Sequence, residues 1–189
     1  KKLLLAFILY CSSFYATAQT GYEITINLKN CNDTLAYLTF YRFDKTLIKD
    51  TCTTIKNGRI VFSGKNKLDT GIYSLVSQQK SILFDFFIDD ETQKLQLKSE
   101  AGLNINKDLT ALNSDRQNEF FNYLKFLGEQ NKAFFEYKQQ HVLATKNDTL
   151  ALNKKQLELE QSIANYEQSF IAKHQGSYIA KVLNLKTEK

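Results

Sequence analysis

The spacing of apolar side chains changes period near Ala101, and that change restricts the folds open to this chain more than any other feature. From Tyr22 to about Leu97 apolar and polar residues alternate, as in Tyr22, Ile24, Ile26 and Leu28 against Glu23, Thr25 and Asn27. A period of two belongs to strands with one buried face, because successive side chains leave a strand on opposite sides. Leu35–Tyr41 is apolar on both faces, the mark of a central strand, and Phe43-Asp44-Lys45 reverses the chain into the β-branched run Thr46–Ile55. Asn57-Gly58 supplies two residues that accept positive φ, as a type I′ turn requires, and predicts a hairpin between Thr51–Ile55 and Arg59–Ser63. Ile72–Val76 and Ile82–Ile88 form a further pair, and Asp89-Asp90-Glu91 turns the chain into Gln93–Lys98.

Beyond Ala101 the apolar residues fall at helical spacing. Leu103, Ile105 and Leu109 lie in a connecting stretch with room for one irregular strand. Ser114 followed by Gln117 has the form of a capping box, and Phe120, Leu124, Leu127, Phe134 and Val142 lie near one face of the helix it opens. Thr145–Asp148 breaks the pattern before Leu152, Leu159, Ile163, Tyr166 and Phe170 form a second stripe. Gly176 can end that helix in the left-handed conformation, and Ser177 can cap a short third one through Leu185. The expected fold class is therefore α+β. An N-terminal antiparallel β-sandwich or partial barrel of about seven strands, over residues 19–100, precedes a helical region at 101–189. Within that region an antiparallel hairpin of helices occupies about 114–175 and a short helix about 177–185, with the aromatic stripe as the hairpin's buried seam.

Residues 1–18 read as a secretory leader: Lys1 and Lys2, the apolar run Leu3–Tyr10, then Ala16-Thr17-Ala18 as the cleavage signal ahead of Gln19. The apolar run is too short to span a bilayer. Tyr10 is too bulky to precede a lipoprotein cleavage at Cys11, so the expected product is an exported protein of the periplasm or cell envelope without a membrane span. Loss of the leader leaves 171 residues carrying 23 basic and 20 acidic side chains. So small and dispersed a surplus is no nucleic-acid signature, which needs a clustered basic face. The missing initiator methionine, and an end at Lys186-Thr187-Glu188-Lys189 just after an apolar helix, suggest a piece of a longer chain.

An oxidising compartment makes Cys31 and Cys52 a candidate disulfide pair, with sequence silent on whether their Cα atoms approach closely enough. Neither belongs to a Cys-x-x-Cys pair, and His141 and His174 stand without metal-ligand spacing, so no catalytic, cofactor or metal site is expected. Asp85, Asp89, Asp90 and Glu91 form the densest acidic cluster; paired carboxylates can serve acid–base chemistry, but their place at a strand end reads as a solvated turn.

Several strings resemble an uncharacterised β-domain of bacteroidete envelope proteins. Cys31-Asn32-Asp33-Thr34-Leu35-Ala36-Tyr37-Leu38, then Tyr41, Ile48-Lys49-Asp50-Thr51 and Asn57-Gly58-Arg59-Ile60-Val61-Phe62-Ser63-Gly64 resemble that family's tyrosine-rich strand, "K-D-T/S" strand and "N-G-x-F-x-F-x-G" hairpin. Asn113–Leu127 is similar to the "N-x-x-F-x-x-Y-x-x-F/L" helix start that follows there. Phe170–His174 and Ile179–Leu183 resemble its closing "P-x-S-x-x-A-K-x-L" segment, with Gln175-Gly176 in place of the usual proline-containing link. In such proteins a thioredoxin-like domain with a Cys-x-x-Cys pair usually comes next, forming a thiol:disulfide oxidoreductase of the TlpA/ResA kind. The resemblance implies a non-catalytic accessory region that positions the redox domain, recognises its partner or mediates oligomer formation. A stand-alone envelope module binding a peptide or glycan is the alternative. Asp33-Thr34-Leu35 and Asp148-Thr149-Leu150 look similar to O-glycosylation sites of exported bacteroidete proteins, which would place the sugar on Thr34 and Thr149.

Overall fold

A computed structural model describes residues 21–103, 105–141 and 146–187; the expected leader, with Cys11 and the expected cleavage point before Gln19, lies outside the described residues. Among the described residues eight strands form in chain order: β1 (Tyr22–Lys29), β2 (Ala36–Arg42), β3 (Lys45–Cys52), β4 (Arg59–Gly64), β5 (Gly71–Val76), β6 (Ile82–Ile88), β7 (Lys94–Glu100) and β8 (Thr110–Ala111). Three helices follow among the described residues, α1 (Asp115–Gln140), α2 (Lys146–Lys173) and α3 (Tyr178–Thr187). The class is α+β, with two four-stranded sheets ordered β4-β1-β7-β8 and β3-β2-β5-β6.

The period-two pattern becomes the shared core of the two sheets. Ile24, Ile26, Ile60, Phe62, Leu95 and Leu97 of the first sheet join Leu38, Tyr73, Leu75, Phe84 and Phe86 of the second in one apolar cluster. At roughly 25 cal/mol per Å² of apolar surface removed from water, such a cluster is the main source of stability. The helices belong to it as well, through Phe120, Phe121, Tyr123, Phe170, Ile179 and Leu183.

Two expectations about strand pairing need correction. The sheets are not wholly antiparallel: β1 pairs β7 in parallel, with Ile24 opposite Leu95 and Ile26 opposite Leu97. The short turns that favour antiparallel neighbours act locally and do not govern strands so distant in sequence. Asn57-Gly58 does turn at positive φ, +52° and +71°, but it closes only an isolated bridge between Lys56 and Arg59. The ladder partner of β4 is β1, not the strand before the turn. Gly58 explains the change of sheet. The Leu28 N–H donates to the Gly58 carbonyl at 2.8 Å, and a Cβ on Gly58 would stand 2.0 Å from the Leu28 oxygen. Only glycine lets β1 come so close.

Ser114 caps α1 as its sequence position predicts, its hydroxyl accepting the Gln117 N–H at 3.2 Å. The reciprocal half of the capping box is absent, because the buried Gln117 side chain accepts the Phe87 N–H of β6 instead, at 3.3 Å. Gly176 has φ +82°, and the Ser177 hydroxyl accepts the Ala180 N–H at the start of α3. The expected break at Thr145–Asp148 does not reach past Thr145, since α2 has begun by Lys146; Val142 and Thr145 lie outside the described residues.

Tyr123 of α1 lies against Tyr166 and Phe170 of α2, with ring centroids 6.0 Å apart in each case, and Phe126 stacks on Tyr166 at 4.2 Å. Buried Glu167 ties all three helices together, accepting the Tyr123 hydroxyl and the Lys186 ammonium at 2.6 Å each. The expected seam fades with distance from the sheets. Phe120 and Phe170 are buried, whereas Phe134, Leu152, Leu159 and Ile163 are only half-buried.

Candidate functional site

The site grows from the way α1 meets the outer strand of the second sheet. β6 has β5 on one side only. The Phe87 N–H points away from β5 to reach Gln117, and α1 covers this end of the edge. There the Phe120 ring meets Phe87 edge-on at 5.7 Å, and the Arg116 guanidinium sits 5.8 Å from the Phe87 ring centroid. Further along, α1 stands away from the strand. The gap is a slot of about 580 Å³ between Ile82–Asp85 of β6 and a face of α1 running from Phe121 to Lys132, with Leu103, Asn106, Lys107 and Leu109 completing its lining. That volume lies within the range of small-ligand and peptide pockets.

The lining divides by chemistry. Phe84, Leu109 and Phe121 are buried and form an apolar floor beside Leu83 and Leu124. Lys107, Lys125, Lys132 and Glu129 supply charge. Among the described residues Lys107 and Lys125 have no ion pair, while Lys132 meets Glu136 at 3.8 Å. Strand alternation places the backbone N–H and C=O of Asp85 on the same outward side as the Phe87 N–H, and no described group pairs with them. The Asp85 carboxylate lies on the outer face of its sheet and accepts the hydroxyls of Ser74 and Tyr41. Ser74 stands opposite Thr39, whose buried hydroxyl oxygen has no hydrogen-bond partner among the described residues. A polar strip thus crosses β2 and β5 and ends at the slot.

The other acids of the sequence cluster are separated from Asp85 by this arrangement. Asp89 accepts the backbone N–H groups of Glu91 and Thr92 and the Thr92 hydroxyl, so it shapes the turn. Arg116 pairs with Asp89 at 2.8 Å and with Glu91 at 2.5 Å, and Lys67 pairs with Asp90. No group of three or more His, Cys, Asp and Glu side chains suited to a metal ion occurs among the described residues. No helix among them is long and apolar enough to cross a membrane.

The sequence gives no sign of a second cluster. Glu119 of α1 receives both Lys173, at 2.9 Å, and His174 Nδ1, at 3.1 Å, from the end of α2. His174 leans on Phe170 with centroids 4.5 Å apart, beside a cavity of about 240 Å³. These residues are too distant in the chain for spacing to reveal them. His141 lies elsewhere, stacked on Tyr137.

Cys31 and Cys52 are free thiols, half-buried and buried respectively, and both pack against the core. The Cys52 S–H donates to the Thr54 carbonyl at 3.7 Å. Burial pushes the Cys31 thiol above its ordinary pKa, against a smaller opposing effect of a backbone hydrogen bond from Asp33, which disfavours a reactive thiolate. Thr34 is exposed and its hydroxyl donates to Gln78 at 3.2 Å; Thr149 is exposed within the first turns of α2.

No protein-family model, curated protein or solved structure matches this chain.

Proposed function

We propose that this chain is a non-catalytic binding region of an exported protein, a β-sandwich with an antiparallel helical hairpin that holds its partner in the slot between β6 and α1. In the fuller reading it is the N-terminal accessory region of a thioredoxin-like thiol:disulfide oxidoreductase, and the slot positions the redox domain or recognises its substrate protein. The observation that carries the binding role is an apolar-floored slot bordered by an unpaired strand edge. The hairpin is supported by the order of contacts: Glu119 meets Lys173, Tyr123 meets Tyr166 and Phe170, and Tyr137 lies near Lys155. A non-catalytic role is supported by the acids, most of which are engaged in turns and ion pairs. The stand-alone module makes the same use of the slot. Between its two ligands, the unpaired backbone favours a peptide over a glycan, since a peptide alone completes a ladder.

A photo-crosslinking residue tests the slot in the cell envelope. Placed at Leu124, it should give one discrete adduct, to a second exported protein or to downstream residues of the same polypeptide. At exposed Leu157 it should give none. Equal labelling from both positions, or none from Leu124, contradicts the proposal.

A further inference from the structure

Resting on the reading of the slot as the partner site, we propose that the partner enters it as an extended acidic polypeptide segment that adds a strand to the open edge of β6. The backbone supplies the first reason. Asp85 turns an unpaired N–H and C=O toward the slot, while α1 satisfies the neighbouring outward amide at Phe87 through Gln117. An unpaired edge is completed by any extended backbone, whereas a helix or an acyl chain in the same place leaves its amides unmatched.

The slot also has the shape a strand needs. An added strand lies roughly 4.8 Å from its neighbour and sends alternate side chains to opposite faces. One set would fall on the apolar floor at Leu109, Phe121 and Leu124, and the other toward solvent and the lysines. Charge then decides what the second set contains. Lys107 and Lys125 are without ion pairs among the described residues, and the Asp85 carboxylate accepts the neutral Ser74 and Tyr41 hydroxyls rather than pairing with either lysine. Three lysines, Lys107, Lys125 and Lys132, line the slot against two acids, Asp85 and Glu129, and Lys132 is engaged by Glu136, so the positive character of the rim rests on Lys107 and Lys125. Complementarity calls for Asp or Glu in the partner segment, with the larger effect on association rate and choice of partner.

A displayed library of random short peptides, panned on the mature chain, tests this. Enriched peptides should alternate apolar with acidic residues. N-methylation of every second amide should weaken them about tenfold or more, the cost of leaving edge hydrogen bonds unmade. The doubly reversed variant Lys107→Glu/Lys125→Glu should enrich basic peptides instead, an outcome that misfolding cannot produce. Peptides that depend on Leu124, lost on Leu124→Glu, yet lack acids or tolerate N-methylation would overturn the acidic-strand mode and leave the slot as a binding site. If no enriched peptide depends on Leu124, the slot reading falls, and this inference with it.

Discussion

The two ends of the long helices occupy different environments. Near the sheets, Gln117, Phe120, Phe121 and Tyr123 of α1 are buried, as are Glu167 and Phe170 of α2. Away from the sheets no described residue of α1 beyond Tyr123 is buried, and Phe135 and Leu157 stand 59% and 66% exposed. One helix is thus held rigidly at its start and only by its neighbour further on. The slot exists because of this difference, since α1 leaves the edge of β6 where its anchoring residues end.

Substitutions at the two ends should differ most. Phe120→Ala removes a ring packed on Phe87 inside the core and should cost about 3–5 kcal/mol in chemical denaturation. Phe135→Ala, on the distal half, should change stability by no more than about 0.5 kcal/mol. A comparable loss at both positions would mean that the distal helices are packed as tightly as the root.

Glycines should separate the regions by sign. Gly58→Ala puts a Cβ against the Leu28 carbonyl at a φ of +71° and should destabilise by more than about 1 kcal/mol. At Gly128 an added Cβ meets nothing within 4 Å, so Gly128→Ala should stabilise the helix by about 0.5–1 kcal/mol. A loss at Gly128 would show that the helix there is crowded after all.

A smaller effect is expected at alkaline pH. Burial, reinforced by a hydrogen bond to Glu167 for Tyr123 and to Asp50 for Tyr22, raises both phenols well above their ordinary value of 10.0. Burial also raises Tyr73. The folded state therefore keeps protons that the unfolded chain releases near pH 10.0. Their contribution is complete below that pH and lost as pH climbs toward the folded values. The tyrosinate absorbance lost on Tyr22→Phe, Tyr73→Phe or Tyr123→Phe should rise together with loss of circular dichroism, not ahead of it. Ionisation of these three without unfolding would place them in water.

What was legible in the sequence was what neighbours in the chain decide. Asn57-Gly58 announces its turn, Ser114 and Ser177 announce their caps, and the change of period near Ala101 announces sheets followed by helices. What distant residues decide stayed hidden. The pairing of β4 with β1 depends on Gly58 meeting Leu28, and the fate of the Gln117 side chain depends on Phe87. The acidic cluster reads as one feature in sequence, yet strand alternation and Arg116 divide Asp85 from Asp89 and Glu91. The slot had no signal at all, because it arises where packing stops rather than from a motif.

The openness of β6 at Asp85 is the claim on which the binding role stands. Residue-resolved amide hydrogen exchange of the chain without added ligand tests it most directly. The Asp85 N–H should exchange markedly faster than the Phe84 and Phe86 N–H groups, which point toward β5. Protection at Asp85 equal to that of Phe86 would mean that something already covers the edge, and the slot would have no strand to receive.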